Sequence, residues 1–106
     1  GVRVEVVAMG GGRPTLTPHD QPATRAFARA LEATFGQAPV FVREGGSIPV
    51  AASFESILDL PVTVMGFMPP NGNFHAPNEW MDLGNFETGI RALAAFFDEF
   101  GAHPGG

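Results

Sequence analysis

Cysteine is absent from the 106 residues, which excludes disulfides, thiolate zinc sites and cysteine nucleophiles and fits a reducing compartment. Lysine is absent as well: all six basic residues are arginines, set against eleven acids for a formal net charge of −5. Those arginines (Arg3, Arg13, Arg25, Arg29, Arg43 and Arg91) are scattered along the chain. Nucleic-acid binding, which needs a clustered basic face to neutralise phosphates, is therefore disfavoured. No apolar run approaches the ~20 residues needed to span a bilayer, and no basic segment leads into a hydrophobic one. These absences point to an acidic cytoplasmic protein with neither nucleic acid nor membrane as a partner.

What is present reads as one globular domain. Hydrophobic residues make up 44% of the chain, with ten phenylalanines, enough for a modest core but not for two full domains. The 14 glycines and 10 prolines follow no period and belong to loops.

Val2, Val4 and Val6 alternate with Arg3 and Glu5, the period of a half-buried strand. The opening on Gly1 is itself an expectation of a piece of something longer. Gly10, Gly11 and Gly12 break the pattern, and Arg13 to Pro18 reads as a connector and domain joint. Gln21 to Phe35 spaces Ala23, Phe27, Ala30, Leu31 and Thr34 as a helix, with Asp20 as N-cap, Pro22 in the first turn and Gly36 as terminator. Pro39 to Arg43 reads as a buried strand. Ser47 then caps a helix that runs from Pro49 through Leu58, and Pro61 to Phe67 reads as another strand. A loop from Met68 to about Leu83 leads to a last helix capped by Asn85, with Phe86, Ile90, Leu93, Ala94 and Phe97 on one face and Gly101 at its end. Strands alternating with helices imply an α/β fold: a parallel-type sheet flanked by helices in three layers.

Ligands of such sheets bind beyond the carboxyl ends of the strands, and two loops qualify. Arg43-Glu44-Gly45-Gly46-Ser47 runs from strand into helix. Its glycines permit close backbone approach, and the helix start offers unpaired N–H groups for a carboxylate or phosphate. It is no nucleotide P-loop, because the lysine such a loop requires is missing. A glycine-permitted turn capped by Ser47 explains the same residues. In the second loop, Asn73-Phe74-His75-Ala76-Pro77-Asn78-Glu79, the imidazole of His75 is placed to ligate a metal or act as a base, and equally to be a hydrogen-bonded surface residue. His19 and His103 fall in a connector and a tail. A Ser–His–acid triad can be written from Ser47, His75 and Glu44 or Glu79, but the Gly-x-Ser-x-Gly elbow is absent. No complete metal site can be assembled from this chain.

Arg43-Glu44-Gly45-Gly46-Ser47-Ile48-Pro49, Asn73-Phe74-His75-Ala76-Pro77-Asn78-Glu79 and Asn85-Phe86-Glu87-Thr88-Gly89-Ile90, taken in that order, resemble the C-terminal part of the zinc-dependent exopeptidases and amidohydrolases. That family includes carnosinase-type dipeptidases, carboxypeptidase G, acetylornithine deacetylase and aminoacylase. The resemblance implies an enzyme with two zinc ions, acting on peptides or N-acyl amino acids. It implies that His75 ligates one zinc and borders the substrate, and that Ser47, Gly45 and Gly46 receive the substrate's free carboxylate, with Arg43 and Glu44 bracing the loop. Residues 1–12 would be the last strand of a lid or dimerisation domain and its joint, and 13–106 the C-terminal part of the catalytic domain. The remaining ligands and the glutamate base lie upstream in that family. The chain alone is then expected to be an inactive fragment with no catalytic residue of its own, completed by the missing N-terminal portion and prone to self-association or homodimer formation. A non-catalytic remnant acting as a binding module is the alternative. Phe74, Asn71 and Asn73 depart from the family pattern and bear on substrate choice.

Overall fold

Three helices, α1 (Pro22–Phe35), α2 (Pro49–Leu58) and α3 (Leu83–Ala102), make up the regular structure of a computed structural model that describes residues 1–44 and 48–103. Their ends follow local chemistry. Pro22 opens α1 without an N–H to leave unpaired. The cap position falls on Gln21, not Asp20, and its side chain makes no capping bond; Asp20 instead offers its carbonyl to the Arg25 guanidinium. Gly36 closes α1 in the left-handed region (φ 74°), its N–H donating to the Glu32 carbonyl at 2.9 Å.

The cap of α2 falls on Ile48, one residue later than expected, and Ser47 lies outside the described residues. For α3, the Asp82 carboxylate accepts the Asn85 N–H at 2.7 Å, so the helix begins before Asn85, which donates to the cap instead of forming it. Nor does Gly101 end α3, which continues to Ala102 with His103 as its cap.

Contacts cluster into two units, Gly1–Thr17 with Arg43–Val62 and Pro18–Val42 with Thr63–Gly106. In the first, the Thr17 hydroxyl donates to the Val62 carbonyl, and Ala51 of α2 is buried. Gly12 lies so close to Pro49 that a Cβ there would stand 2.9 Å from the proline Cα.

The second unit holds the main core, where α1 packs on α3. Ala26, Ala30, Gly89 and Ala92 are buried in this unit, with the Phe67 ring lying against Gly89. Phe27, 5% exposed, stacks on Phe96 with ring centroids 4.8 Å apart. Burying such a ring stabilises by about 1.5–3 kcal/mol. Arg29 Nε reaches Glu99 Oε1 at 2.5 Å across the helix pair.

Two expectations are corrected here. The α3 face predicted to be buried, Phe86, Ile90, Leu93 and Phe97, is exposed; Gly89, Ala92 and Phe96 carry the packing instead. Periodicity finds the most hydrophobic stripe of a helix, but the stripe that is covered is the one on which Phe27 of α1 and the Phe67 ring pack.

The second correction concerns the sheet: no strand forms among the described residues. Val2, Val4 and Val6 are exposed, and Pro39 to Arg43 and Pro61 to Phe67 are outside any ladder. A strand is defined by hydrogen bonds to a neighbouring segment, so strand-like patterning without a neighbour yields only an unpaired run. The run 63–67 keeps the strand signature in its burial, with Thr63, Met65 and Phe67 partly covered and Val64 and Gly66 exposed. Thr63 Oγ1 sits 3.1 Å from Thr24 Oγ1 of α1, and Phe67 stacks on Phe35 at 6.1 Å. No described helix is long and apolar enough to cross a membrane.

Candidate functional site

The loop between Phe67 and α3 is tied shut at its neck. Trp80 N–H donates to the Gly72 carbonyl and Trp80 Nε1–H to the Asn71 carbonyl, each at 3.0 Å. The backbone from 71 to 80 is thereby closed into a compact loop of the Ω kind. Three tight turns fold it: Gly72 N–H to Pro69 O at 2.9 Å, Ala76 N–H to Asn73 O at 3.0 Å and Glu79 N–H to Ala76 O at 3.3 Å.

Gly72 is buried in the neck. A Cβ there would meet Met68 Cε, the Pro69 carbonyl and the Trp80 carbonyl, all at 3.1 Å, so the residue is glycine because the neck is narrow.

The turns force three non-glycine residues into the left-handed region: Asn73 (φ 54°), His75 (φ 56°) and Asn78 (φ 59°). Asparagine and histidine are among the side chains that tolerate it, at a cost of about 1–2 kcal/mol for each residue. The neck hydrogen bonds offset part of that cost. The result holds Phe74 and His75 at the tip of a braced loop, both exposed.

His75 presents an exposed imidazole, a suitable single donor for a metal. No group of three or more His, Asp or Glu side chains that could hold an ion occurs among the described residues. Gly45, Gly46 and Ser47 lie outside the described residues, and Arg43 and Glu44 are exposed irregular chain of the first unit. His19 sits against Phe41 with ring centroids 6.0 Å apart. His103 Nδ1 lies 3.6 Å from Glu99 Oε1 at the end of α3.

Sequence reading missed Trp80, the residue that holds the His75 loop closed onto Gly72 and Asn71. The single tryptophan, placed where the loop turns back and carrying a polar N–H, was the available signal.

Residues 2–99 match Peptidase family M20/M25/M40, and the chain belongs to that family. It is 33% identical over 86 residues to the Cys-Gly metallodipeptidase DUG1 of Saccharomyces cerevisiae, covering 78% of this chain and 18% of that protein. It is 32% identical over 95 residues to the human Beta-Ala-His dipeptidase, covering 89% of this chain and 19% of that one. A solved structure of the dipeptidase Dug1p from Saccharomyces cerevisiae superposes with a TM-score of 0.79 at 28% identity, over 84% of this chain and 19% of the other. The chain thus spans less than a fifth of the length of these relatives, and its path follows that of a peptidase despite the missing strand pairing.

Proposed function

We propose that this chain is the C-terminal portion of a dinuclear zinc metallopeptidase that hydrolyses dipeptides or N-acyl amino acids. The observation that carries the reading is the family match over residues 2–99, joined to relatives named as dipeptidases. The closed loop that presents His75 supports it, because a metal ligand gains from being held before the metal arrives. His75 serves as one zinc ligand and borders the substrate. Ser47 with the Gly45 and Gly46 amides receives the substrate's free carboxylate, and Arg43 and Glu44 brace that segment.

When bound, the two zinc ions supply an acidified water and a Lewis acid for the amide carbonyl. This chain's own part is to hold a ligand and orient the substrate; the base and the other ligands come from the rest of the enzyme, so the segment alone is inactive. In this reading residues 1–12 end a lid or dimerisation domain and 13–106 belong to the catalytic domain. The unpaired apolar runs and the bare face of α3 are covered by the N-terminal portion of the enzyme or by a second copy. In this reading the whole enzyme acts in the cytoplasm on small peptides.

The test is a contrast between two variants of the complete enzyme. His75→Ala is expected to lose bound zinc, measured by elemental analysis, and turnover with it. Ser47→Ala is expected to keep its zinc and to weaken binding of dipeptides with a free carboxylate by about 1–2 kcal/mol, leaving amidated analogues unaffected. Full metal retention in His75→Ala would sink the assignment.

A further inference from the structure

We infer that Phe74 is a specificity-determining residue that contacts the substrate and favours dipeptides with an apolar side chain beside the scissile amide; this rests on the proposed role of His75. Phe74 and His75 are the two central residues of the turn closed by Ala76 N–H and the Asn73 carbonyl at 3.0 Å, so their Cα atoms are about 3.8 Å apart. That turn is the tip of the loop whose neck Trp80 holds shut. A molecule bound at the imidazole therefore comes within reach of the benzyl group.

The ring itself is 55% exposed. Phe27, Phe35, Phe67 and Phe96 bury theirs against one another in stacked pairs, and Phe74 takes part in no ring pair among the described residues. Phe41, Phe54, Phe86 and Phe97 are also exposed, but of these rings Phe74 alone shares a braced turn with the candidate ligand. More than half of that large apolar residue is left uncovered by its own chain. It gains further when an apolar surface arrives to cover it. A charged or polar substrate group meeting the ring would lose hydration without a hydrogen bond in return, and glycine would leave the ring bare. Selection by apolar contact follows.

The experiment compares Leu-Gly, Gly-Leu and Gly-Gly as substrates of the complete zinc-loaded enzyme carrying Phe74→Ala. Partial loss of a leucine–phenyl contact predicts a KM raised about 5–10-fold for at least one leucine dipeptide, with kcat unchanged and Gly-Gly altered less than twofold. Calorimetric affinity for a non-hydrolysable analogue of that leucine dipeptide should fall by the same factor, and Phe74→Leu should restore most of it. Equal changes for all three substrates, or none, would overturn the inference. Zinc content separates the two levels: if His75→Ala loses metal while Phe74→Ala is unselective, only Phe74 is misassigned. If His75→Ala keeps its metal, the reading beneath falls and takes the Phe74 role with it.

Discussion

Gly89 sets two opposing effects against each other at one atom. In the interior of α3, alanine should be favoured over glycine by about 1 kcal/mol, because glycine loses more backbone freedom on folding. The methyl group, however, would stand 2.9 Å from Cγ and Cδ2 of Phe67 and 3.1 Å from its Cδ1. Carbon atoms prefer about 3.5–4.0 Å, so the ring must retreat by roughly 0.6 Å, and it is stacked almost parallel on Phe35 with an interplanar angle of 9°. Overpacking of this kind costs about 1–3 kcal/mol, and the balance is a net loss of about 1 kcal/mol for Gly89→Ala. Urea unfolding followed by helical circular dichroism should show a lower midpoint at unchanged slope.

Two companion variants make the sign informative. Gly101→Ala, where nothing lies within 4 Å of the added carbon, should be neutral or slightly stabilising. With Phe67→Ala as background the obstruction is gone, and Gly89→Ala should turn stabilising by up to about 1 kcal/mol, a coupling of about 2 kcal/mol across the cycle. If Gly89→Ala stabilises the unmodified chain as much as it does the Phe67→Ala background, Phe67 does not pack on that glycine and the reasoning is refuted.

Trp80→Phe removes the indole donor to the Asn71 carbonyl while keeping an aromatic ring, and should cost about 1 kcal/mol; faster amide exchange at Trp80 and Gly72 would register the loosened neck, and unchanged protection would show that the backbone bond alone closes the loop. The isolated chain should bind zinc only weakly, since a single imidazole is a poor site. Calorimetry showing one tight zinc per chain, lost in His75→Ala, would reveal a complete site within these residues.

The end of α1 and the existence of all three helices were written in the chain itself, because they depend on local chemistry. A proline has no N–H to leave unpaired in a first turn, and a glycine such as Gly36 reaches φ 74° without a Cβ penalty. The location of the His75 loop was equally legible, since prolines, asparagines and a glycine between two apolar segments leave the backbone little choice but to turn. The family was legible too, from three short motifs in order. Tertiary contact decided the rest. Which stripe of α3 is buried depends on what packs against it: the Phe67 ring lies on Gly89 and Phe27 of α1 stacks on Phe96, while Phe86 and Ile90 stay exposed. The closure of the loop by Trp80 onto Gly72 and Asn71 joins residues eight and nine positions apart, beyond any local rule. Whether Val2 to Val6 or Pro61 to Phe67 become strands is likewise decided elsewhere, because every ladder hydrogen bond of a strand needs its partner on a neighbouring segment.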